Sequence, residues 1–424
     1  MVGLKPYLAM KESEVEWLGL VPEHWRLPRT KAILQERVTK GFPEEPLLAA
    51  TQTKGVVRKE DYENRTVLAL KDLHLLKLVM KGDFVISLRS FQGGIEYARE
   101  QGIISPAYTI LFSKKHENHD FIAHLFKSTP YIENLGLYVT GIRQGQNIDY
   151  TKLSRSRIPL PPPNEQATIV KYLNYMDRRI KKLIAAKKQL FKLLEEQKQA
   201  TIRQVVTKGL DPNVPMKDSR VEWLGEVPEH WEVKRLKWVT RLQRGYDLPA
   251  EKRTEGPFPV ISSGGEIGTH EKCKAHAPGV VMGRYGSTDA VFYVEKDYWP
   301  HNTALFVTDF QANLPLWCYH LLRTISKADH AGKSAVPGVD RKDLYQIMVA
   351  TPPIDEQLVI VNFIERTNMK IETAVNRLDR EIELMKEYRT SLIADVVTGK
   401  LDVREAAAKL SDSELELEGA TSNE

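Results

Sequence analysis

The sequence predicts an α+β chain in which two tandem globular domains are separated by an antiparallel two-helix coiled coil and related by an internal pseudo-twofold repeat. Three observations lead to this fold class. Blocks of sequence recur in the same order, a proline-rich hinge follows each globular stretch, and a long helix with heptad spacing follows each hinge. The 424 residues, 42% of them hydrophobic, suffice for more than one folded core.

The repeat is clearest in two blocks that end in tryptophan. Met10–Trp25 (MKESEVEWLGLVPEHW) matches Met216–Trp231 (MKDSRVEWLGEVPEHW) at 13 of 16 positions, with an offset of 206. Later in each half the offset becomes 191, where Pro159–Gln166 aligns with Ala350–Gln357. The pattern indicates a duplicated unit with a constant frame and a variable insert. We interpret His24 and His230, beside the repeated tryptophans, as packing or capping residues.

The duplication predicts six segments along the chain. They are a first domain (1–163), a first helix (164–208), a linker (209–216), a second domain (217–353), a second helix (354–400) and an acidic tail (401–424). From Asp402 onwards the tail has a net charge of −5, so the rest of the chain carries about +10. We expect the tail to be disordered, and the basic body suits a protein that binds a polyanion.

Within the globular domains, short apolar segments predict strands and amphipathic segments predict helices. The predicted strands are Thr66–Leu70, Asp83–Leu88, Tyr108–Phe112, Gly279–Met282 and Ala304–Val307. The predicted helices are Asp120–Phe126 and Leu316–Ile325.

The two long helices each carry an apolar seam at alternating spacings of four and three residues, which is typical of a coiled coil. The first seam is Ile169, Leu173, Met176, Ile180, Leu183, Leu190 and Leu194, with Lys187 interrupting it. The second seam is Ile360, Ile364, Ile371, Leu378, Met385 and Leu392. Opposite charge bias favours pairing of the two helices, and the tandem repeat makes the pair antiparallel. The alternative is two unrelated helices, each packed on its own domain.

Two finer predictions follow from this arrangement. One register places Lys187 opposite Glu381. Because Gly3–Met10 corresponds to the linker Gly209–Met216, the N-terminal segment should lie beside the end of the second helix, near Thr398–Val403.

Composition and missing motifs argue against several classes of protein. The absence of a long apolar run and of a signal peptide predicts a cytoplasmic protein. Cys273 and Cys318 are too few for a disulfide framework or a cysteine-based zinc site, so we expect no metal. Glu196-x-Lys198 and Glu232-x-Lys234 resemble the end of a nuclease motif, but we interpret them as solvated charges. No catalytic residues are predicted.

The duplicated VPEHW blocks, the two Pro-rich hinges ending in Glu-Gln and the two heptad helices together resemble the specificity subunits of type I restriction–modification systems. The resemblance covers the chain to about residue 402. It implies two target-recognition domains that each read one half of a bipartite DNA site, while the coiled coil sets the spacing and docks two adenine-N6 methyltransferase subunits. It also implies a non-catalytic chain, because S-adenosylmethionine, and ATP with Mg for restriction, belong to the methyltransferase and motor-nuclease partners.

Candidate DNA contacts lie in glycine-punctuated polar loops of the inserts, because Arg and Gln can bond bidentately to base edges. In the first domain they are Thr51, Gln52, Lys54, Arg89, Ser90, Gln92, Arg143, Gln144 and Gln146. In the second domain they are Ser262, Ser263, Arg284, Tyr285, Ser287, Lys333 and Ser334. Arg284 is the expected counterpart of Arg89. Two other classes remain open: a free-standing two-domain DNA-binding regulator and an enzyme such as a fused nuclease or methyltransferase.

Overall fold

A computed structural model describes residues 4–61, 72–114, 118–140, 147–287, 290–326 and 339–410. The chain divides into two compact units, Met1–Lys187 with Arg380–Glu424, and Lys188–Asp379. This division differs from the predicted succession of domain, helix, domain and helix. Each long helix contributes to both units, because its two ends are buried in different hydrophobic cores.

The first unit contains short antiparallel strands. They are β1 (Met10–Glu12), β2 (Leu20–Pro22), β3 (Leu34–Arg37), β4 (Leu48–Thr51), β5 (Gly55–Arg58), β6 (Lys77–Val79), β7 (Phe84–Ile86), β8 (Glu96–Tyr97), β9 (Gly102–Ile104), β10 (Thr109–Ser113), β11 (Val139–Thr140) and β12 (Asn147–Ile148). A four-stranded sheet in the order β3-β10-β7-β8 is its centre, and β1-β2, β4-β5, β6-β9 and β11-β12 form pairs.

The second unit repeats this plan. Its strands are β13 (Met216–Asp218), β14 (Glu226–Pro228), β15 (Glu232–Arg235), β16 (Arg241–Arg244), β17 (Phe258–Ser262), β18 (Gly265–His270), β19 (Gly279–Gly283), β20 (Val291–Val294), β21 (Trp299–Pro300), β22 (Ala304–Asp309) and β23 (Met348–Thr351). The four-stranded sheet has the order β16-β22-β19-β20, so β7 of the first unit corresponds to β19. A second sheet has the order β18-β17-β21.

The helices range from single turns to two long helices. They are α1 (Thr30–Ile33), α2 (Ser90–Gly93), α3 (His119–Phe126), α4 (Thr129–Leu135), α5 (Tyr150–Leu153), α6 (Pro163–Lys208), α7 (Pro315–Ser326), α8 (Arg341–Leu344), α9 (Ile354–Val397) and α10 (Arg404–Ala408). Short 3₁₀ turns span Lys59–Asp61, Leu73–Leu75, Gly136–Tyr138, Leu236–Trp238 and Ala250–Lys252. The predicted strands and helices are all found, except that Thr66–Leu70 lies outside the described residues.

The repeated blocks bind the first turn of a long helix through a glutamate. In the first unit, Glu165 accepts hydrogen bonds from Trp25 Nε1 at 3.1 Å and from the Tyr7 hydroxyl at 2.7 Å, and His24 Nε2 lies 2.7 Å away. In the second unit, Trp231 Nε1 and His230 Nε2 lie 3.0 and 2.8 Å from Glu356. The two histidines are therefore packing residues that pair with the hinge.

The glutamine that follows each glutamate connects the long helix to a helix of the same unit. Gln166 accepts a hydrogen bond from the backbone N–H of Asn118, the N-cap of α3, at 2.9 Å. Gln357 accepts one from the N–H of Leu314, directly before α7, at 3.0 Å. Both side chains also donate to a hinge proline carbonyl. The Glu-Gln pair therefore fixes how each long helix leaves its own domain.

The long helices pair in antiparallel fashion within each unit. In the first unit, Arg389 pairs with Asp177, and the Lys187 ammonium lies 2.5 Å from the Glu381 carboxylate, so the predicted contact is confirmed. In the second unit, Lys198 lies 3.8 Å from Glu372. Residue numbers rise along α6 as they fall along α9, which requires opposite directions.

The predicted seam of α6 is wrong at two positions. The side chains of Leu183 and Leu190 are 44% and 46% exposed. The predicted Ile180 and Leu194 are buried or half-buried, and the unpredicted Ile184, Lys187, Lys198 and Ile202 are buried or half-buried as well. A straight α-helix has about 3.6 residues per turn, so its contact stripe moves off a strict heptad within a few turns. In α9 every predicted seam residue is buried or half-buried.

The N-terminal segment lies beside the end of α9, as the repeat predicts. The backbone N–H of Asp402 donates to the Lys5 carbonyl at 2.8 Å, and the Arg404 guanidinium lies over the Tyr7 ring. The expectation of a disordered tail is wrong for residues 401–410, because Val403 and Ala407 are buried in the first core. The remainder, 411–424, lies outside the described residues.

The described helices include none that combines the length and apolar character needed to span a membrane.

We expect the glycine that ends α9 to be critical for stability. Gly399 has a φ of +79°, and an added Cβ would lie 2.3 Å from Cδ of Pro22 in the repeated block. Left-handed strain and overpacking together should make Gly399→Ala lower the free energy of unfolding by about 2–5 kcal/mol. Urea denaturation of the full chain measures this loss.

Gly19→Ala is the matched control, since Gly19 has a φ of +62° and open space around the added Cβ. It should lose only the left-handed strain, about 1–2 kcal/mol. Equal losses in the two variants would contradict the close contact between Gly399 and Pro22.

Candidate nucleic-acid interface

Equivalent positions in the two central sheets carry the predicted arginines. Arg89 follows β7 and is the N-cap of α2, and Arg284 follows β19. Both strands are fully buried, so the polypeptide reaches the surface only where each strand ends. Burial of the strands therefore places both arginines at the same end of their sheets.

In the first unit, the turn between β4 and β5 lies against α2. Gln52 packs so closely on Gly93 that a Cβ there would lie 2.8 Å from Cγ of Gln52. The Lys127 ammonium donates to the carbonyls of Gln52 and Gly93 at 3.2 and 2.7 Å. This contact brings four exposed candidates to one edge: Gln52, Lys54, Arg89 and Gln92.

Thr51 and Ser90 do not present their side chains at this edge. Both are buried. The Thr51 hydroxyl donates to the Gly55 carbonyl and accepts from the Lys54 N–H, and the Ser90 hydroxyl accepts from the Ser87 N–H. Their hydroxyls are used to form the local turns, which corrects their assignment as contact residues.

A buried carboxylate forms an ion pair with the Lys127 ammonium. Glu96 is 2% exposed, and its Oε1 lies 2.6 Å from the Lys127 ammonium. Its other oxygen has no hydrogen-bond partner among the described residues. Burial raises the pKa of Glu96 to about 7, although Lys127 acts to lower it. The position of the first unit's polar edge therefore depends on a carboxyl that titrates near neutrality.

In the second unit, an open cleft of about 440 Å³ is lined by the segment Gln243–Asp247, Arg284, Leu305, Asp340 and Arg341. The Arg284 guanidinium lies 4.5 Å from the centre of the Tyr285 ring. The Arg341 guanidinium donates to the Leu242 carbonyl at 3.3 Å. Three guanidinium groups in one concave surface suit an anionic or base-edge ligand.

The other candidates of the second unit lie around the same strand ends. Ser263 donates its N–H to the Thr303 hydroxyl, and the Thr303 carbonyl accepts from the N–H of Arg284 and of Tyr285. Ser287 is exposed, and its carbonyl lies so close to Gly283 that a Cβ could not fit there. Ser262 is buried and bonds to Gly265, as Thr51 does to Gly55, so it too is corrected to a turn residue.

Arg143, Gln144, Gln146, Lys333 and Ser334 lie outside the described residues. These five candidates therefore stay predictions.

Arg244 and Arg341 line the cleft but were not among the predicted contacts. A signal for Arg244 was present, because Arg244 ends a strand and is followed by Gly245-Tyr246, much as Arg284 directly follows a strand and is followed by Tyr285-Gly286. Gly245 is required there, since a Cβ would lie 2.2 Å from the His301 carbonyl oxygen. The sequence around Arg341 contains no comparable signal, so the sequence alone did not identify this residue as a candidate contact.

The two nuclease-like fragments form ordinary ion pairs. Lys198 pairs with Glu372 of α9, and Glu196 lies 3.7 Å from Lys192. Lys234 lies 3.0 Å from Glu232 within the same fragment. The interpretation as solvated charges agrees with the exposure of Glu196 and Glu232. It is wrong for Lys198, whose side chain is only 15% exposed and is paired with Glu372.

Comparison with known proteins gives consistent matches. A family model described as type I restriction modification DNA specificity domain matches residues 39–191 and 228–384. The putative type I restriction enzyme MjaX specificity subunit of Methanocaldococcus jannaschii is 23% identical over 441 residues, covering 95% of this chain and 100% of that protein. The type I restriction enzyme MjaVIII specificity subunit of the same organism is 28% identical over 168 residues, covering 40% of this chain and 37% of its own.

Two solved structures share the fold. A chain from work on complex assembly and conformational transition of the type I R-M system has a TM-score of 0.65 and 14% identity, covering 90% of this chain and 99% of its own. The HsdS subunit from Thermoanaerobacter tengcongensis has a TM-score of 0.55 and 15% identity, with coverages of 90% and 98%.

The buried carboxyl predicts a pH dependence of stability. Because the folded state holds the Glu96 proton up to a pH of about 7, and the unfolded chain releases it near 4.5, this group destabilises the fold as pH rises through that window. Glu96→Gln should therefore remove a fall of about 3 kcal/mol in the free energy of unfolding between pH 4.5 and 7. Denaturant titrations at several pH values measure it.

The exposed Glu44→Gln variant serves as the control and should keep the wild-type pH profile. A Glu96→Gln profile parallel to that of the wild type would show that Glu96 ionises normally.

Proposed function

Because the chain belongs to the family of type I restriction–modification DNA specificity domains, we propose that it is the DNA-recognition subunit of such a system and that each unit reads one half of a bipartite site. The observation that carries the proposal is the equivalent placement of Arg89 and Arg284 at the ends of β7 and β19. Different exposed side chains surround the two arginines, so the two half-sites should differ in sequence.

The paired helices would set the spacing between the half-sites. In support, α6 and α9 are continuous over 46 and 44 residues, and ion pairs hold them in one antiparallel register within each unit. Two readers on a common support bind more tightly than either alone, while the base pairs between them go unread.

We also propose that the helices dock two adenine-N6 methyltransferase subunits. The helices expose large apolar side chains that a partner could cover, among them Leu190, Phe191, Leu193, Leu358 and Phe363. In this arrangement the partners supply S-adenosylmethionine, and motor-nuclease subunits supply ATP with Mg for restriction. The chain itself performs recognition without catalysis.

Substitution of the arginines tests the reading of half-sites. If Arg284 bonds to a base edge, Arg284→Ala should weaken binding by about 1–3 kcal/mol and relax one half-site only. Arg89→Ala should relax the other half-site. Sequencing of methylated DNA from cells that express each variant with its partner subunits shows which base positions have lost discrimination.

Arg235→Ala is the control, because Arg235 is exposed in the same unit and does not line the cleft. It should leave the methylated motif unchanged. Uniform weakening on all sequences by Arg284→Ala would make Arg284 a phosphate contact and remove it from the base-reading set.

Stoichiometry tests the docking proposal. Co-expression with the methyltransferase subunit should give a complex of two methyltransferase chains to one recognition chain by native mass spectrometry. A chain that binds its bipartite site tightly alone and forms no such complex would favour the free-standing regulator.

A further inference from the structure

Three metal-ligating side chains meet in the second unit, in a place that the proposed recognition surface does not use. Cys273 and His276 lie between β18 and β19, and Asp297 lies between β20 and β21. One donor atom from each lies within 4.8 Å of the others. Nothing in the spacing of Cys273 and His276 reveals the third member, which is more than twenty residues away in the sequence.

Backbone hydrogen bonds hold the two segments together at this point. The N–H groups of Lys274 and Ala275 donate to the Tyr298 carbonyl at 3.0 and 3.1 Å, and the Tyr298 N–H donates back to Ala275 at 2.9 Å. Tyr298 is fully buried, which anchors this pairing in the core. The relative position of the two backbone segments that carry the three ligands is therefore fixed.

The Asp297 carboxylate is oriented by two neighbours. Its Oδ1 accepts a hydrogen bond from the Ala277 N–H at 2.9 Å, and its Oδ2 lies 3.0 Å from Nδ1 of His276. These contacts lower the pKa of Asp297, the backbone N–H being the larger cause and His276 the next. Both carboxylate oxygens are thus held in place, with Oδ2 directed towards the imidazole nitrogen that a metal ion would share with it.

We propose that Cys273 Sγ, His276 Nδ1 and Asp297 Oδ2 form a zinc site. A thiolate, an imidazole and a carboxylate are the ligands that Zn²⁺ takes in proteins, whereas Ca²⁺ and Mg²⁺ prefer oxygen ligands alone. Zinc bonds of about 2.0–2.3 Å place neighbouring donors of a tetrahedral site roughly 3.3–3.8 Å apart. His276 Nδ1 and Asp297 Oδ2, 3.0 Å apart, are already that close, and Cys273 Sγ would have to move by no more than roughly an ångström. Three protein ligands leave the fourth tetrahedral position to water.

The zinc site would stabilise residues that pack against the wall of the cleft that contains Arg244, Arg284 and Arg341. The Lys274 ammonium, between two of the ligands, lies 5.6 Å from the centres of the Tyr246 and Trp299 rings. Trp299 Nε1 donates to the Tyr246 carbonyl at 3.3 Å, and Tyr246 lines the cleft. A metal ion that joins residues 273–276 to Asp297 would therefore fix the position of the segment that packs on Tyr246 and Trp299, and Tyr246 lines the cleft.

Metal titration of the full chain tests the proposal. The chain, stripped of metal and reduced, is titrated with Zn²⁺ in competition with a chromophoric chelator. We expect one Zn²⁺ per chain, with Cys273→Ser and Asp297→Asn each weakening binding at least about tenfold. Asp297→Asn keeps an oxygen that can accept the Ala277 hydrogen bond, so a loss of affinity reports the carboxylate itself.

Co²⁺ provides a second readout that does not depend on affinity. Bound Co²⁺ should show a thiolate charge-transfer absorption that disappears in Cys273→Ser and persists in Cys318→Ala, which removes the buried second cysteine. The proposal is overturned if Zn²⁺ binds substoichiometrically, if Asp297→Asn binds as the wild type does, or if the Co²⁺ absorption depends on Cys318. In those cases His276 and Asp297 form a surface hydrogen bond only.

Discussion

The duplicated architecture depends on one contact, made twice. A glutamate in the first turn of each long helix accepts hydrogen bonds from the histidine and tryptophan of the repeated block. Glu165 is buried, and a buried carboxylate is tolerated only when donors replace the water that it has lost. Burial of Tyr7 raises the pKa of its hydroxyl, and the hydrogen bond to Glu165 raises this pKa further. The Tyr7 hydroxyl therefore stays protonated and can donate to Glu165.

This contact explains which residues are identical in the two copies of the repeat. The lysine at the start of each block donates to backbone carbonyls of the same block: Lys11 to Glu23 and Trp25, and Lys217 to Glu229 and Trp231. The glycines that end the long helices, Gly209 and Gly399, lie against the same tryptophans. These matched residues thus have partners inside the frame, whereas the inserts are free to differ.

Sequence reasoning succeeded where a constraint acts locally or is repeated. The antiparallel pairing, the Lys187–Glu381 contact and the place of the N-terminal segment all followed from the duplication. It failed at Leu183 and Leu190, because leucine at a heptad position does not reveal which face a straight helix turns inward.

The candidate contacts show the same limit. Thr51, Ser90 and Ser262 sit in polar loops, but their hydroxyls serve the turns of those loops. Arg341 was missed because the cleft joins segments about a hundred residues apart, and only the folded sheet brings them together. Composition of a loop predicts that polar groups are available and does not predict which of them face outward. The second unit's metal-ligand cluster escaped notice for a related reason, since a count of cysteines says nothing about a mixed set of donors.

The division of the chain has a consequence for biosynthesis. The second unit is one continuous segment, Lys188–Asp379, whereas the first is completed by Arg380 and the residues that follow. Leu392, Val396 and Val403 belong to the first core, so a nascent chain on the ribosome cannot finish that core until the whole second unit has been translated. Until then, the part of the first unit that is already made exposes the apolar side chains that these later residues cover. We therefore expect the first unit to depend more on chaperones during synthesis than the second.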